Sequence, residues 1–442
     1  MSEAWKRPEH PLEVLRLIAS ADCSPPARQA AAVHFKNLVK NGWDESKDEE
    51  DRKGIVVSPA DRDTIKNNVV ELMCTVPRSI QAQVSESISL IAEVDFPANW
   101  KTLLPSLVQK LNSNDMAVVN GVLATANSIF KSFRYVQRSN ELYEVILYCL
   151  GEFQQSLLML FLQTSQAIDS YANDAQQLAP RFEALRLMCR IFFSLNYQDL
   201  PEFFEDHIKE WMEAFAKFLQ YKNPILVDES EEDEPGPVDK LQAAIIENLK
   251  LYADKDEECF IEFLPNFAML VWNNLMSLSI YPKHDPLVTT SIKFLSSLVE
   301  KKMHNHLFQS DETLKQIVTN IVIPNITVRE SDEEKFEDDP QEFIVTEIEG
   351  SDSESRQKCS RDLLRAMCRQ FEEQTTTLCK QHISEMLGQF NADKSKWQAK
   401  DTAVSSQASG GEMVLCTWIN PLHLTFFFVS SDSPHAGNRC PS

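Results

Sequence analysis

The sequence predicts an all-α fold, a superhelical solenoid of stacked helix pairs, and three observations favour it. The chain has 442 residues, which is too long for one ordinary core and suits several domains or an extended repeat array. It has only 10 glycines, so few tight hairpins are available and an all-β fold is disfavoured. Amphipathic helices that open with a proline also recur along the chain. A stack of helix pairs accounts for all three observations.

The clearest helix pair lies at residues 192–219, where an apolar helix end, a polar break and a second helix follow one another. The apolar side chains of the second helix recur at helical spacing and form one stripe: Phe204, Ile208, Trp211, Phe215 and Phe218. Pro201 suits the first turn of this helix, and Asp199 just before it is a candidate cap. A single stripe would also suit a surface helix of any globular protein, so its recurrence decides for repeats.

The same phrase, an apolar residue followed by a proline that opens a helix, occurs at Pro105, Pro201, Pro265 and Pro324. These prolines are roughly 60 to 100 residues apart, a spacing compatible with one or two HEAT-type helix pairs and variable loops. Long apolar helices are predicted between them, at residues 116–133, 142–162, 182–195, 241–252 and 287–298. Stacking such pairs buries a continuous core and leaves long polar surfaces that suit large protein partners.

Two acidic loops interrupt the predicted array, at residues 228–237 and 330–354. Solubilising linkers are the simplest interpretation of both. In the second loop, Phe336 and Phe343 are interleaved with the acidic residues and could anchor it, so it could meet a basic protein surface. Its candidate contact residues are Glu333, Glu334, Glu337, Asp338 and Asp339.

Residues 404–442 have no helical period and differ in character from the repeats. We expect a divergent, disordered tail here, arising for instance from alternative splicing or an altered gene model. The tail also holds two of the ten cysteines, and the others lie mostly within helical apolar patterns, as reduced core residues of an intracellular protein do.

The net charge of −23 disfavours nucleic acid or an anionic membrane as the main partner, since binding either needs a basic face. A basic protein partner fits better. The N-terminus lacks the apolar run of a signal peptide, and aliphatic clusters such as residues 157–162 are too short to span a bilayer, so no membrane insertion is expected.

The common signatures of nucleotide-binding, hydrolase and zinc-protease sites are missing from the sequence. We therefore expect no catalytic residues, no cofactor and no metal site. His304 and His306 are close in sequence, but no cysteine or acid stands at a suitable spacing for a metal, and a surface pair is the simpler interpretation.

Several segments together resemble the exportin-2 (cellular apoptosis susceptibility protein) family of the importin-β, or karyopherin, superfamily. They are HFKNLVKNGW at 34–43, DFPANW at 95–100, VVNGVLATANSIFKSFRY at 118–135, LYADKDEECFIEFLPNFAMLVWNNL at 251–275 and the run from FEDDPQEF at 336 to RQFE at 372. The resemblance is collinear over roughly residues 10 to 403. It implies importin-β-like N-terminal HEAT repeats at 1–135 and exportin-2-like HEAT repeats at 136–403, followed by the divergent tail.

The resemblance also implies a function. Members of this family are nuclear export receptors that bind the GTP form of Ran and return importin-α to the cytoplasm, so we expect a monomeric receptor that shuttles between nucleus and cytoplasm. Nucleoporins are further implied partners, and nucleic acid is not. Lys36, Asn37 and Lys40 would face Ran, although capping and solvation of one helix would explain them equally. The acidic insertion would touch Ran or cargo, or act as a hinge.

Relative to the family pattern, the chain begins about one helix into the first repeat and stops at less than half of the family's length. We expect a truncated form, for which partial activity through residual Ran or partner binding, a dominant-interfering role and no function at all are open alternatives. The alternative is a static HEAT-repeat scaffold that is insensitive to the nucleotide state of Ran. Capture by Ran loaded with GTP rather than GDP would distinguish the two.

Overall fold

The computed structural model describes residues 9–46, 48, 57–227, 233–255, 257–344 and 355–409, and the regular structure within these ranges is helical throughout. The chain divides into two compact units, Met1–Phe294 and Leu295–Ser442. The helices that begin in the first unit are α1 (His10–Ala19), α2 (Pro25–Gly42), α3 (Pro59–Thr75), α4 (Arg78–Asp95), α5 (Leu103–Leu111), α6 (Met116–Ser132), α7 (Asn140–Ala167), α8 (Ala175–Asn196), α9 (Glu202–Asp206), α10 (Ile208–Leu219), α11 (Pro237–Lys255), α12 (Glu258–Ile261), α13 (Leu264–Met276) and α14 (Asp285–Val299).

The helices of the first unit form two layers. The B layer is the row α2, α4, α6, α8 and α11, in which each helix packs on the next. The A layer is the row α1, α3, α5, α7, α10 and α13, joined in the same way. Each of the first five A helices in turn also packs on a B helix, from α1 with α2 to α10 with α11, and the core lies between the layers. This arrangement confirms the all-α, HEAT-repeat solenoid that the sequence predicts.

The predicted helix pair at residues 192–219 is present, with one difference. All five residues of the predicted stripe are buried, and Phe192 and Trp211 pack with ring centroids 4.4 Å apart. The second helix is not continuous, however, because a turn at His207 divides it into α9 and α10. Pro201 is the N-cap residue of α9 and not part of its first turn, and no side chain caps the helix, so Asp199 is not a cap; that its charge favours the positive helix end stays a prediction.

The five long helices predicted from apolar patterns correspond to α6, α7, α8, α11 and α14. Pro265 stands in the first turn of α13, as predicted. Pro324 does not open a new helical run, contrary to the prediction. Helix α15 (Asp311–Gln316) and a π-helical turn, Ile317–Val322, already precede it. The wider π turn accommodates a proline, which has no N–H group and crowds the preceding turn of an ordinary helix.

The second unit continues from this run with further helices: α16 (Ile323–Ile326), α17 (Glu330–Asp338), α18 (Pro340–Ile344), α19 (Arg356–Gln370), α20 (Glu372–Ala392) and α21 (Trp397–Ser409). The predicted acidic loop at 330–354 is therefore helical over its described part. Arg329 closes the first turn of α17 through a capping box with Asp332, which explains why so acidic a segment forms a helix. Helix α19 packs on α16, α20 and α21.

The predicted start of the tail, residue 404, lies within a helix of the structure. Helix α21 extends to Ser409, so residues 404–409 belong to the second unit, and Ala403 is buried within the same helix. The remainder of the predicted tail, 410–442, lies outside the described residues, as do 228–232 of the first acidic loop and 345–354 of the second.

Helix α7 and the 3-10 turn after it, Asn140–Tyr171, form the one described segment that is long and apolar enough to cross a membrane. This is weak evidence, because core helices of soluble proteins pass the same test. In this fold α7 packs on α5, α8 and α10, with Phe153, Leu157 and Phe161 fully buried. These contacts are those of a solenoid helix.

Eight cysteines within the described ranges are free thiols. Cys149, Cys189, Cys359 and Cys379 are buried, as predicted for reduced core residues, and burial raises the pKa of Cys379 to about 12. Cys416 and Cys440 lie outside the described residues.

Candidate protein-binding surface

The candidate surface in the first unit is the free face of the B layer, on the side away from the A layer. On α2, the core-facing residues Phe35, Leu38 and Val39 are buried. Asn37 and Lys40 are exposed on the other side of the helix, and Lys36 is half-buried. The structure thus brings all three predicted Ran-facing residues together on one helix, in a position accessible to a partner.

The C-terminal end of α2 is fixed by a buried polar cluster. Trp43 Nε1 donates to Asp95 Oδ2 at 3.3 Å, and Lys66 Nζ pairs with the same oxygen at 3.1 Å. The Arg62 guanidinium lies 5.2 Å from the centre of the Trp43 ring. Trp43 and the DFPANW segment are both marks of the family resemblance, and the cluster explains their physical connection: the carboxylate of one segment holds the indole of the other.

A histidine contact joins the start of α1 to the middle of α2. The Nε2 atoms of His10 and His34 are 3.1 Å apart, so one ring must be neutral to accept the proton of the other. Burial, followed by the charge of His10, lowers the pKa of His34. His34 therefore carries little positive charge near neutral pH.

A groove of about 250 Å³ crosses the same face farther along the B layer, over α4, α6 and α8. Small residues form its floor, among them Ser85, Gly121 and Ala124. A side chain at position 121 would collide with Gln81, whose Nε2 would lie 2.4 Å from the new Cβ. Gln81 is held there by donating to the carbonyls of Met73 and Ala117, both at 3.2 Å.

Two polar atoms in this groove lack hydrogen-bond partners. They are Ser85 Oγ and Asn120 Oδ1, and the side-chain amide of Asn120 donates to Pro180 O at 2.9 Å. Both atoms are buried beneath the groove, so what the groove offers a partner is the close approach of its backbone to the small residues. This groove is not among the features predicted from the sequence. The available signal is a run of small residues three or four positions apart, Gly121, Ala124 or Thr125, and Ser128, on a helix predicted only as apolar.

The acidic insertion in the second unit presents a row of carboxylates on α17 and just after it. Glu334, Glu337, Asp338 and Asp339 are exposed. Glu333 is less available, because it is half-buried and its Oε1 accepts from Gln398 Nε2 of α21 at 2.8 Å. The sequence predicts that Phe336 and Phe343 anchor this segment. In the structure their rings contact each other, with centroids 5.7 Å apart.

The histidines considered as metal ligands differ in environment. His304 is buried, whereas His306 is exposed and its Nδ1 lies 3.1 Å from Met303 O. Within the described ranges, no three or more His, Cys, Asp or Glu side chains come together as a metal site would need.

Comparison with known proteins gives the family. The Cse1 family model matches residues 129–413, and the model of the importin-beta N-terminal domain matches residues 2–75. Exportin-2 of Homo sapiens is 38% identical over 432 residues, which are 96% of this chain and 44% of that protein. Exportin-2 of Danio rerio is 39% identical over 378 residues, 85% of this chain and 38% of that protein.

Solved structures agree with these relatives. The exportin Cse1 in its cargo-free, cytoplasmic state matches with a TM-score of 0.86 and 33% identity, over 92% of this chain and 43% of that one. Yeast importin-beta (Kap95p) matches with a TM-score of 0.56 and 15% identity, over 90% of this chain and 41% of that one, which shows a shared fold. The chain thus spans less than half the length of these relatives. With the Cse1 model matched over more than half of its residues, the chain belongs to the Cse1, or exportin-2, family of the importin-β superfamily.

Proposed function

We propose that this chain acts as the N-terminal part of a nuclear export receptor, which binds Ran in its GTP form and carries importin-α from nucleus to cytoplasm. The observation that carries the proposal is the extent of the Cse1 likeness: the fold follows an exportin over 92% of this chain at 33% identity. A receptor of this kind shuttles between the two compartments and meets nucleoporins on the way.

The Ran-facing part of the proposal lies on α2. The segment matched by the importin-beta N-terminal domain covers α1 to α3, and Lys36, Asn37 and Lys40 lie on the free side of α2. The Trp43–Asp95–Lys66 cluster supports this assignment, because it holds the end of α2 rigidly and binding residues on rigid elements lose less entropy on association.

The acidic row of the second unit is proposed to contact Ran or cargo. Glu334, Glu337, Asp338 and Asp339 are exposed and adjacent, so they produce a local negative potential that would attract a basic protein segment. Glu333 would contribute less, since its contact with Gln398 occupies it.

The test is a pull-down of this chain with immobilised Ran, loaded either with GTP or with GDP, and with or without importin-α. Preferential capture by the GTP form supports the receptor. Equal capture by both forms would instead favour a static HEAT scaffold, and no capture by either form would remove Ran binding for this chain.

A charge-reversal variant locates the contact. Lys36→Glu combined with Lys40→Glu should weaken capture by Ran-GTP several-fold, because both side chains lie on the proposed face. Lys101→Glu combined with Lys209→Glu is the matched control, since Lys101 is exposed just before α5 and Lys209 is 75% exposed on α10, both in the A layer. Equal loss in both variants would mean that net charge, rather than this face, governs binding.

A further inference from the structure

A patch of arginine and aromatic side chains lies on α8 and on the turn that follows α6, apart from the residues proposed for Ran. Its members are Arg134, Tyr135, Arg190, Phe193 and Tyr197, and we refer to them as the Arg-aromatic patch. The Arg134 guanidinium lies 4.5 Å from the centre of the Phe193 ring, and the Phe193 and Tyr197 rings are 5.7 Å apart. Tyr135 is 76% exposed and Tyr197 is 39% exposed.

The two arginines of the patch are close together, and neither forms an ion pair within the described residues. Arg134 donates to neutral acceptors only, Ser194 Oγ at 2.7 Å and the carbonyl of Arg190 at 3.2 Å. The Nε of Arg190 is buried and lacks a hydrogen-bond partner. Arg190 as a whole is half-buried, so a ligand carboxylate would meet its terminal N–H groups rather than the buried Nε.

The described acidic residues near the patch form no ion pair with its arginines. Glu183 is occupied by Arg186, with two hydrogen bonds of 2.8 and 2.7 Å. Burial, followed by the charge of Arg190, lowers the pKa of Arg134, whereas Glu247 of α11 acts in the opposite direction at longer range. The local cationic character is notable in a chain with a net charge of −23.

The composition of the patch identifies the chemistry of its ligand. Arginine and tyrosine are enriched at the energetic centres of protein interfaces, and a guanidinium binds a carboxylate with two parallel hydrogen bonds. Nucleic acid or an anionic membrane would extend beyond the patch and be repelled by the net negative charge of the protein. A short acidic segment contacts only the patch. The aromatic rings offer apolar contact beside the charges.

We propose that the Arg-aromatic patch binds an acidic linear segment of a partner protein, with a carboxylate on Arg190 and an apolar side chain against Phe193 and Tyr197. The lining of the groove over α4, α6 and α8 includes Glu86 and Glu183, so we expect the acidic segment to bind at the patch and not to continue along the groove. The proposal is independent of Ran and importin-α binding.

The test uses fluorescence anisotropy of this chain with a fluorescein-labelled peptide in which Glu alternates with Leu. The matched peptide carries Gln in place of each Glu. We expect the acidic peptide to bind and the Gln peptide to bind at least tenfold more weakly. Arg190→Glu should weaken the acidic peptide tenfold or more, Arg190→Lys should retain part of the affinity, and Lys209→Glu on the A layer should leave it unchanged.

Two variants at exposed positions keep the test decisive if Arg190→Glu lowers the thermal midpoint. Tyr135→Ala and Tyr197→Ala should each weaken the acidic peptide several-fold without changing the helical circular dichroism signal. Equal binding of the two peptides, or an affinity that none of the patch variants changes, would overturn the proposal. Binding of phosphatidylserine vesicles or duplex DNA, but not of the acidic peptide, with loss in Arg190→Glu would also overturn it.

Discussion

The Asp95 carboxylate illustrates how one side chain can hold several helices. It is 7% exposed and serves both Trp43 and Lys66, so its removal leaves the buried indole N–H without a partner and takes from the Lys66 ammonium its nearest carboxylate. We expect Asp95→Ala to lower the free energy of unfolding by about 3–5 kcal/mol, measured by urea denaturation. Asp63→Ala is the control. The Asp63 carboxylate lies 3.7 Å from Lys66 Nζ and its side chain is 78% exposed, so we expect a change of about 0.5 kcal/mol or less.

Two glycines in helices should respond to alanine with opposite sign. Gly121→Ala forces Gln81 away from the carbonyls of Met73 and Ala117, and should destabilise the protein by about 1–3 kcal/mol. At Gly151 no atom lies within 4 Å of the added Cβ, so Gly151→Ala should stabilise by about 0.5–1 kcal/mol through helix propensity. Thermal unfolding of both variants checks the pair, and a loss of stability in Gly151→Ala would contradict the packing described.

Helix α10 is attached to its neighbours by aromatic packing. The Trp211 ring stacks on Phe161 of α7 at 4.1 Å and lies 4.4 Å from Phe192 of α8. We expect Trp211→Ala to cost about 3–5 kcal/mol, seen in the thermal midpoint. Trp211→Phe should cost less than about 1.5 kcal/mol, because the indole Nε1 has no hydrogen-bond partner and phenylalanine keeps the stacking. Similar losses in both variants would show that the indole N–H contributes after all.

Helix α21 provides a pH-dependent contribution to stability. Burial raises the pKa of Asp401, although the charge of Arg361 opposes this, so the folded state holds the proton more tightly than the unfolded state. The ionised carboxylate therefore penalises folding at pH values above its unfolded pKa of about 4. Asp401→Asn should raise the thermal midpoint at pH 7, and the gain should disappear as the pH falls to about 3. A constant gain across this range would indicate an effect other than charge.

In a solenoid each helix pair contacts mainly its neighbours, so damage should remain local. We expect Asp95→Ala to speed amide hydrogen exchange in α2, α3 and α4, measured by mass spectrometry, and to leave α19 and α20 of the second unit unchanged. Uniform acceleration across the chain would mean that the protein unfolds as one cooperative body.

Much of this fold could be predicted because the buried face of a helix is visible in the sequence as apolar residues at helical spacing. The stripe from Phe204 to Phe218 follows the helical period, and every member is buried. The break at His207 could not be read from the stripe, since α9 keeps Phe204 in the core while changing direction. Glu330–Asp338 was predicted as a loop because its composition is solvating, yet the Arg329 capping box and the Asp332 ion pair make it helical.

The candidate site was predicted only in part. The positions of Asn37 and Lys40 on the free side of α2 follow from their spacing to buried residues, and the role in binding Ran is an implication of the family. The Asp95 cluster, the groove at Gly121 and the Arg-aromatic patch each join residues about 40 to 60 positions apart. Such contacts arise from the stacking of successive repeats, which local periodicity does not specify.

The length and apolar character of α7 have a consequence during synthesis. Its partners α8 and α10 follow it in the chain, so the nascent helix leaves the ribosome before the surfaces that cover it have been made. At the usual rate of translation this interval is on the order of seconds, long enough for chaperones and the signal recognition particle to sample an apolar helix. The growing polypeptide is therefore open to misfolding from the emergence of α7 until α10, the later of these two partners, has been completed.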